Sequence, residues 1–451
     1  MRAKLLFVAF AALFICTATV LAGRPNQGQP AQDVPERLEF VHPVINWLHS
    51  DPLPALALKT ELNREVVENL EWSVNKPEYL TIDPKTGKLS QKMKAIGQSV
   101  TVTVKYKEAT GRCRINILSD FPELDASVLD YMLRADVKGM SVAVVYKERL
   151  VYLRAYGHVD SGRPADIYHN FRIASMSKPI TVIALLKLVE QGKLDIDQKV
   201  FGPGSVLADD FGPVPAGSNK ELITVKHLIE HQSGWAGDMA YTGYNDYPDA
   251  GAMVRAGLAH YKLAFTPGER TLYSNFGYGV LGRVIEKLSG MKYADFVRQY
   301  IIEPCGIRQM TLAKGPVADR DANESNYFAD DEQADMIHPA ITNYFDSFGG
   351  WKSTPADYAR FVLHTDRMPG VPDILPAEIL NLTYFRGNWS HGGMLPGTAT
   401  NITRLTDDLT MIYMANTWRF KNPAFGDMLN SVRDPIMART VWPDYNLFDD
   451  Y

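Results

Sequence analysis

Cysteine is scarce in this chain, with three in 451 residues. Cys16 lies in an apolar N-terminal run, so Cys113 and Cys305 serve the rest of the molecule. Two cysteines permit at most one disulfide, and a bridge or two buried free thiols are both compatible with the sequence. An excess of positive charge is also missing. Lys and Arg total 47 against 52 Asp and Glu, for a formal net charge of −5, and the pI is near 6.1. With no basic tract, nucleic acid is not expected as a partner. Beyond the N-terminus, no stretch is apolar and long enough to span a bilayer. Gly-x-Ser-x-Gly occurs nowhere, which excludes the nucleophile elbow of α/β-hydrolases.

What is present is enough for a sizeable core. Apolar residues make up 46% of the chain and charged residues 22%. The length suits two domains rather than one. Residues 1–22 read as a secretory signal: Arg2 and Lys4, then apolar residues from Leu5 to about Ala18, then Val20-Leu21-Ala22 before the cut. An uncleaved membrane anchor is the competing reading of the same residues. Cleavage would send the protein to the periplasm or outside the cell. Residues 23–35 are rich in Gly, Pro and Gln and form a linker.

From residue 36 to 118 the pattern is β. LEWSV, YLTID, SVTVTVKYK and CRINIL alternate apolar and polar positions, with turns at Asn75-Lys76-Pro77 and around Asp83-Pro84-Lys85-Thr86-Gly87. These segments resemble bacterial immunoglobulin-like repeats, which implies a small β-sandwich able to contact a cell wall or surface. Residues 120–444 differ. LDASVLDYMLRA reads as an amphipathic helix, KPITVIALLKLVEQGKL as a long helix whose last turn meets Gly192, and FGYGVLGRVIEKLSG as a helix with Gly290 as its C-cap. SVAVVYKERLVYLRAYG predicts a hairpin, TATNITRL and LTMIYMAN predict paired strands, and FGDMLNSVRDPIMART closes with a helix. Helices mixed with antiparallel strands make this an α+β domain.

Three short motifs in that domain carry chemistry. In FRIASMSKPI, Ser175 and Lys178 are spaced i, i+3 at a helix start, so they share a face. The positive end of the helix dipole favours an alkoxide there, and burial favours an unprotonated lysine able to act as base. The simpler reading makes Ser175 or Ser177 a helix cap. Tyr273-Ser274-Asn275 follows a Pro-Gly turn and precedes a helix. A tyrosine near cations can accept and return a proton, and Asn275 can orient lysine and substrate. His391-Gly392-Gly393 enters a terminal strand, where glycines let the backbone approach a substrate closely. The N–H groups of Met394 and Ser175 could then form an oxyanion hole.

Each motif has decoys. Ser73-x-x-Lys76 and Ser289-x-x-Lys292 repeat the first, but neither sits at a helix start. Tyr168-His169-Asn170 repeats the second. Lys85-Thr86-Gly87 belongs to a β-turn. His227-Leu228-Ile229-Glu230-His231 matches H-x-x-E-H, in which two histidines could hold zinc with a glutamate as base.

Taken in order, Ser175-x-x-Lys178, Tyr273-x-Asn275 and His391-x-Gly393 resemble the serine β-lactamase and penicillin-recognising family. The likeness is strongest to its branch of class C β-lactamases, D-Ala-D-Ala carboxypeptidases and related esterases. It covers roughly residues 120–440 and includes ITVKHLIEHQSGW, FGGWKSTPADYARF and SHGGMLPGTATNI. The resemblance implies an antiparallel sheet flanked by helices, with Ser175 as nucleophile and Lys178 and Tyr273 sharing the base role. It also implies that Asn275, His391 and Gly393 bind substrate, that Ser175 and Met394 form the oxyanion hole, and that no metal or cofactor is needed.

Two departures bear on substrate. His391 stands where class C enzymes have lysine. Gly392 stands where a hydroxyl residue helps to bind a substrate carboxylate, and losing that bond removes about 1.5–3 kcal/mol. The expected substrate is therefore a small molecule or peptide with an ester or amide bond, and strong penicillin recognition is disfavoured. A secreted binding protein with a retired catalytic domain is the alternative. The aromatic stretches NYFDSFGGW and TYFRGNW fit either pocket walls or core.

Overall fold

The computed structural model describes residues 37–451, apart from 49–52, 60–61, 63, 78, 92–98, 119–120, 161, 236–246, 331–340, 342, 420–425 and 450. The signal segment 1–22 and the linker 23–35 lie outside the described residues. The chain divides into two compact units, one running to Phe121 and one from Pro122 to Trp442, with the last residues shared between them.

The N-terminal unit is β-rich. A four-stranded sheet runs in the order β1 (Val44–Leu48), β6 (Ala109–Leu118), β5 (Ser99–Tyr106), β2 (Glu71–Val74). β1 is parallel to β6 and the other pairs are antiparallel. β3 (Leu80–Ile82) and β4 (Leu89–Gln91) form a separate ribbon, and α1 (Arg64–Glu68) is a short helix. Period-two alternation decides the packing: Val100, Val102, Val104 and Tyr106 of β5 are buried with Trp72 and Phe40. Ser73 is an exposed strand residue. Asp83 accepts the N–H groups of Lys85 and Thr86 at 3.0 and 2.7 Å, and Gly87 adopts φ +68° against the Trp72 indole. Lys85-Thr86-Gly87 is thus an Asx-type turn with a structural purpose.

The larger unit is built on a five-stranded antiparallel sheet. Its order is β12 (Ser390–Leu395), β13 (Thr398–Arg404), β14 (Leu409–Ala415), β7 (Gly139–Tyr146), β8 (Arg149–Gly157). Every residue of β14 is buried, as is every residue of β7 except Tyr146, so both faces of the sheet are covered. Helices α2 (Pro122–Ala135), α8 (Pro355–Leu363) and α10 (Met428–Ala438) belong to this layer. A small sheet of β10 (Thr311–Leu312), β11 (Trp351–Ser353) and β9 (Phe171–Arg172) leads into the turn before α3 (Ser177–Glu190).

Helix α3 is apolar around nearly its whole circumference, which marks a central helix. It packs against α6 (Asn275–Ser289). Ser274 caps α6 by accepting the Gly277 N–H at 3.1 Å, and Gly290 ends it at φ +71°. The expected hairpin, paired terminal strands and helices of this region are all present. Neither Ser175 nor Ser177 caps α3; the Ser177 hydroxyl instead donates to the Ala174 carbonyl at 2.7 Å. The aromatic residues Tyr344, Phe345, Phe348, Trp351, Phe385 and Trp389 are buried and belong to the core. Cys113 and Cys305 are free, buried thiols.

A glycine couples α6 to the segment that meets α3. A Cβ at Gly282 would lie 2.5 Å from the Ser347 hydroxyl oxygen, which is tied to the Tyr278 carbonyl. Gly282→Ala should therefore destabilise the protein by about 1–3 kcal/mol, although alanine is the better helix former. A fall in the urea midpoint at unchanged slope would register it.

Candidate active site

Ser175 lies in a single 3-10 turn, Ala174–Met176, directly before α3. The turn is held from three directions. The Ile173 N–H donates to the Trp351 carbonyl at 2.9 Å, the Tyr358 hydroxyl donates to the Met176 carbonyl at 2.8 Å, and the Thr400 hydroxyl donates to the Ile173 carbonyl at 3.0 Å. Ala174 is forced to φ +47°, a left-handed conformation that costs a non-glycine residue about 1–2 kcal/mol. Strain of this kind beside a reactive side chain is characteristic of functional turns.

Lys178 sits one helical turn on and is completely buried. Its Nζ donates to Asn275 Oδ1 at 2.5 Å, to the Phe348 carbonyl at 2.9 Å and to Ser175 Oγ at 3.0 Å. The Tyr273 hydroxyl lies 2.8 Å from the same Oγ. The rings of Tyr273, Tyr278 and Phe348 surround the amine at 4.8, 5.6 and 5.7 Å from their centroids. Ser175, Lys178, Tyr273 and Asn275 are therefore one hydrogen-bonded group. Tyr273 and Leu272 keep substantial exposure, as does Met394 on β12, so the group opens to solvent beside apolar side chains.

β12 is an edge strand running beside the Ser175 turn. A Cβ at Gly393 would stand 2.3 Å from the Ile173 carbonyl oxygen and 3.1 Å from the Ala174 Cβ, so only glycine allows this approach. Gly392 differs: a Cβ there would find its nearest neighbours at 3.8 and 3.9 Å. His391 Nδ1 lies 2.8 Å from the Gly392 carbonyl and donates to it. Burial, and then the Lys178 charge, push its imidazole down from 6.5 to about 4.

The histidine beside Tyr273 is His231, with ring centroids 4.5 Å apart. Burial, then Lys178 and His391, hold it down from 6.5 to about 3. In the sequence His231 belongs to the H-x-x-E-H pattern and to the segment ITVKHLIEHQSGW, and neither marks it as a neighbour of Tyr273. The zinc pattern does not assemble: α4 (Val225–Ile229) ends before His231, which turns to φ +58°. His227 closes a capping box with Thr224 instead. No group of three metal-ligating side chains occurs among the described residues. The second Tyr-x-Asn is also apart, since Tyr168 stacks on Tyr451 and His169 accepts from the Asp166 N–H. Ser289 accepts the Met291 N–H at the end of α6. The Phe348 carbonyl was missed because a backbone acceptor leaves no residue-type signal.

Both imidazoles titrate below the unfolded value of 6.5, so between those values the unfolded chain binds protons that the folded chain does not. Their stability contribution is complete above pH 6.5 and is lost as pH falls, at up to about 1.4 kcal/mol per pH unit for each histidine. The urea midpoint should drop between pH 7 and pH 5, and His391→Asn should shrink that drop.

A family model described as Beta-lactamase matches residues 124–429. Penicillin-binding protein 4* of Bacillus subtilis is 27% identical over 312 residues, which cover 59% of this chain and 65% of that protein. Esterase EstB of Burkholderia gladioli is 34% identical over 202 residues, covering 41% of this chain and 50% of the esterase. The match thus spans between half and two thirds of the length of these two relatives. The structure of the D-amino acid amidase from Ochrobactrum anthropi SV3 superposes with a TM-score of 0.57 at 19% identity, over 70% of this chain and 99% of the amidase. That likeness shows the fold. With most of the larger unit inside the matched region, the chain belongs to the Beta-lactamase family.

Proposed function

We propose that this protein is an exported serine hydrolase that cleaves an ester or amide through an acyl-enzyme on Ser175. The observation that carries the reading is the double contact of Ser175 Oγ, with Lys178 Nζ at 3.0 Å and the Tyr273 hydroxyl at 2.8 Å. Two groups able to take the serine proton stand within direct transfer distance.

In the proposed cycle, Lys178 and Tyr273 share the Ser175 proton as Oγ bonds to the substrate carbonyl carbon. The N–H groups of Ser175 and Met394 hold the resulting oxyanion. Tyr273 returns the proton to the departing alcohol or amine. Water then attacks the acyl-serine, passes a proton to the same pair, and Ser175 regains its hydrogen. Asn275 holds Lys178 in register through its Oδ1, and His391 contacts the far end of the substrate. Every step uses side chains, backbone N–H groups and water, with no metal or cofactor.

The substrate reading favours a small molecule or peptide without a carboxylate beside the scissile bond. Gly392 offers no hydroxyl to such a group, and His391 is held in its neutral form. Exposed Leu272 and Met394 at the mouth favour an apolar acyl portion. Export rests on residues 1–22. The immunoglobulin-like reading of residues 36–118, with cell-wall or surface contact, belongs to this proposal and rests on the resemblance of those segments. Retirement of the catalytic domain is disfavoured by the complete Ser–Lys–Tyr–Asn hydrogen bonding.

Intact-mass labelling with a fluorophosphonate, a penicillin and a simple ester tests the reading. One adduct should form on the native protein and none on Ser175→Ala, with kcat lower by about 10³–10⁶ in the variant. A folded native protein that no reagent labels would overturn it. Gly392→Thr fits the open space and should raise the penicillin labelling rate relative to ester hydrolysis by about tenfold or more.

A further inference from the structure

We propose that His231 is the positioning residue of Tyr273, clamping the tyrosine so that its hydroxyl meets Ser175. The inference rests on the reading of Tyr273 as a base. It comes from three contacts that one residue makes with three consecutive residues. The His231 carbonyl accepts the Leu272 N–H at 2.8 Å. The His231 ring lies against the Tyr273 ring at 4.5 Å between centroids, with a tilt of 33°. His231 Nδ1 accepts the Ser274 N–H at 3.1 Å. The same ring meets Tyr278, from the first turn of α6, at 5.1 Å.

This clamp has a reason to exist. Tyr273 lies at the open mouth of the site with 41% of its surface exposed, so little packing on the solvent side restrains its ring. Its hydroxyl must nevertheless stay 2.8 Å from Ser175 Oγ. A shift of about 1 Å in a group engaged in proton transfer can cost roughly 10²-fold in rate. His231 supplies a wall behind the ring and fastens the backbone on either side of it.

The backbone of His231 sharpens the argument. At φ +58° a glycine or asparagine would fit with less strain. A strained histidine is explained by what its ring does there, which glycine cannot do. The tautomer follows from the contact: an acceptor at Nδ1 carries no proton, so the ring is neutral with its proton on Nε2. Among the described residues, His231 hydrogen-bonds to Ser274 and Leu272 rather than to Ser175 or Lys178, and so acts through Tyr273.

The test is a double-mutant cycle on the full chain, with p-nitrophenyl butyrate as substrate and thermal melts as the folding control. His231→Gly and His231→Asn both suit the left-handed backbone, and asparagine returns an acceptor near the Nδ1 position. Each should keep KM within about twofold while kcat falls, by about 100-fold for glycine and about tenfold for asparagine. In a Tyr273→Phe background the same changes at His231 should cost no further activity, because the residue being positioned is gone. Unchanged kcat in both single variants, with Tyr273→Phe impaired, would overturn the clamp alone. The same would follow from equal losses in the native and Tyr273→Phe backgrounds. A Tyr273→Phe protein with native kcat would overturn the base reading and the clamp with it.

Discussion

The amine of Lys178 has no contact with bulk water, and the architecture around it follows from that constraint. A buried ammonium or amine is tolerated only where its hydrogens find acceptors. Three acceptors converge on it: Ser175 Oγ one turn back on its own segment, Asn275 Oδ1 at the start of α6, and the Phe348 carbonyl. No two of them come from the same element. The long apolar helix α3, its packing on α6, and the tight turn of residues 345–350 must all form for the lysine to be satisfied. The Phe345 carbonyl holds that turn by accepting the N–H groups of Phe348, Gly349 and Gly350.

Strain collects around the same point. Ala174 before the serine and His231 behind the tyrosine both adopt left-handed backbone, at φ +47° and +58°. Gly393 passes within a distance of Ile173 that no larger residue permits. The two left-handed residues each cost free energy, and the glycine lets β12 lie against the residues that lead into the Ser175 turn. The cost is borne by an extensive core, in which Ile180, Val182, Ile183, Leu185 and Leu186 of α3 are fully buried.

The electrostatics of the site are set by exclusion. His231 and His391 stand near Lys178, and burial together with the lysine charge keeps both imidazoles neutral at ordinary pH. Their hydrogen bonds differ in kind: one Nδ1 accepts from the Ser274 N–H and the other donates to the Gly392 carbonyl. Two histidines so close in space thus hold opposite tautomers, each fixed by a backbone partner.

Much of this was legible in the residues. The helical repeat of LDASVLDYMLRA, the Gly290 stop and the alternation of SVTVTVKY predict elements that the structure contains, because period and capping are local properties. The i, i+3 spacing of Ser175 and Lys178 alone puts them on one helical face. Other readings needed the third dimension. The zinc pattern at His227 and His231 failed because α4 stops at Ile229, and no residue type there announces so early a stop. The aromatic stretches could be wall or core, and only burial made them core. Phe348 enters the site through its carbonyl, which carries no side-chain signature. The sequence by itself determined which side chains could do acyl-transfer chemistry and which local elements would present them, since both depend on neighbours within a few residues. Which histidine stands beside Tyr273, and which acceptors satisfy Lys178, was decided by tertiary structure, because those contacts join residues far apart in the chain and exist only once α3, α6 and the sheet edge have packed.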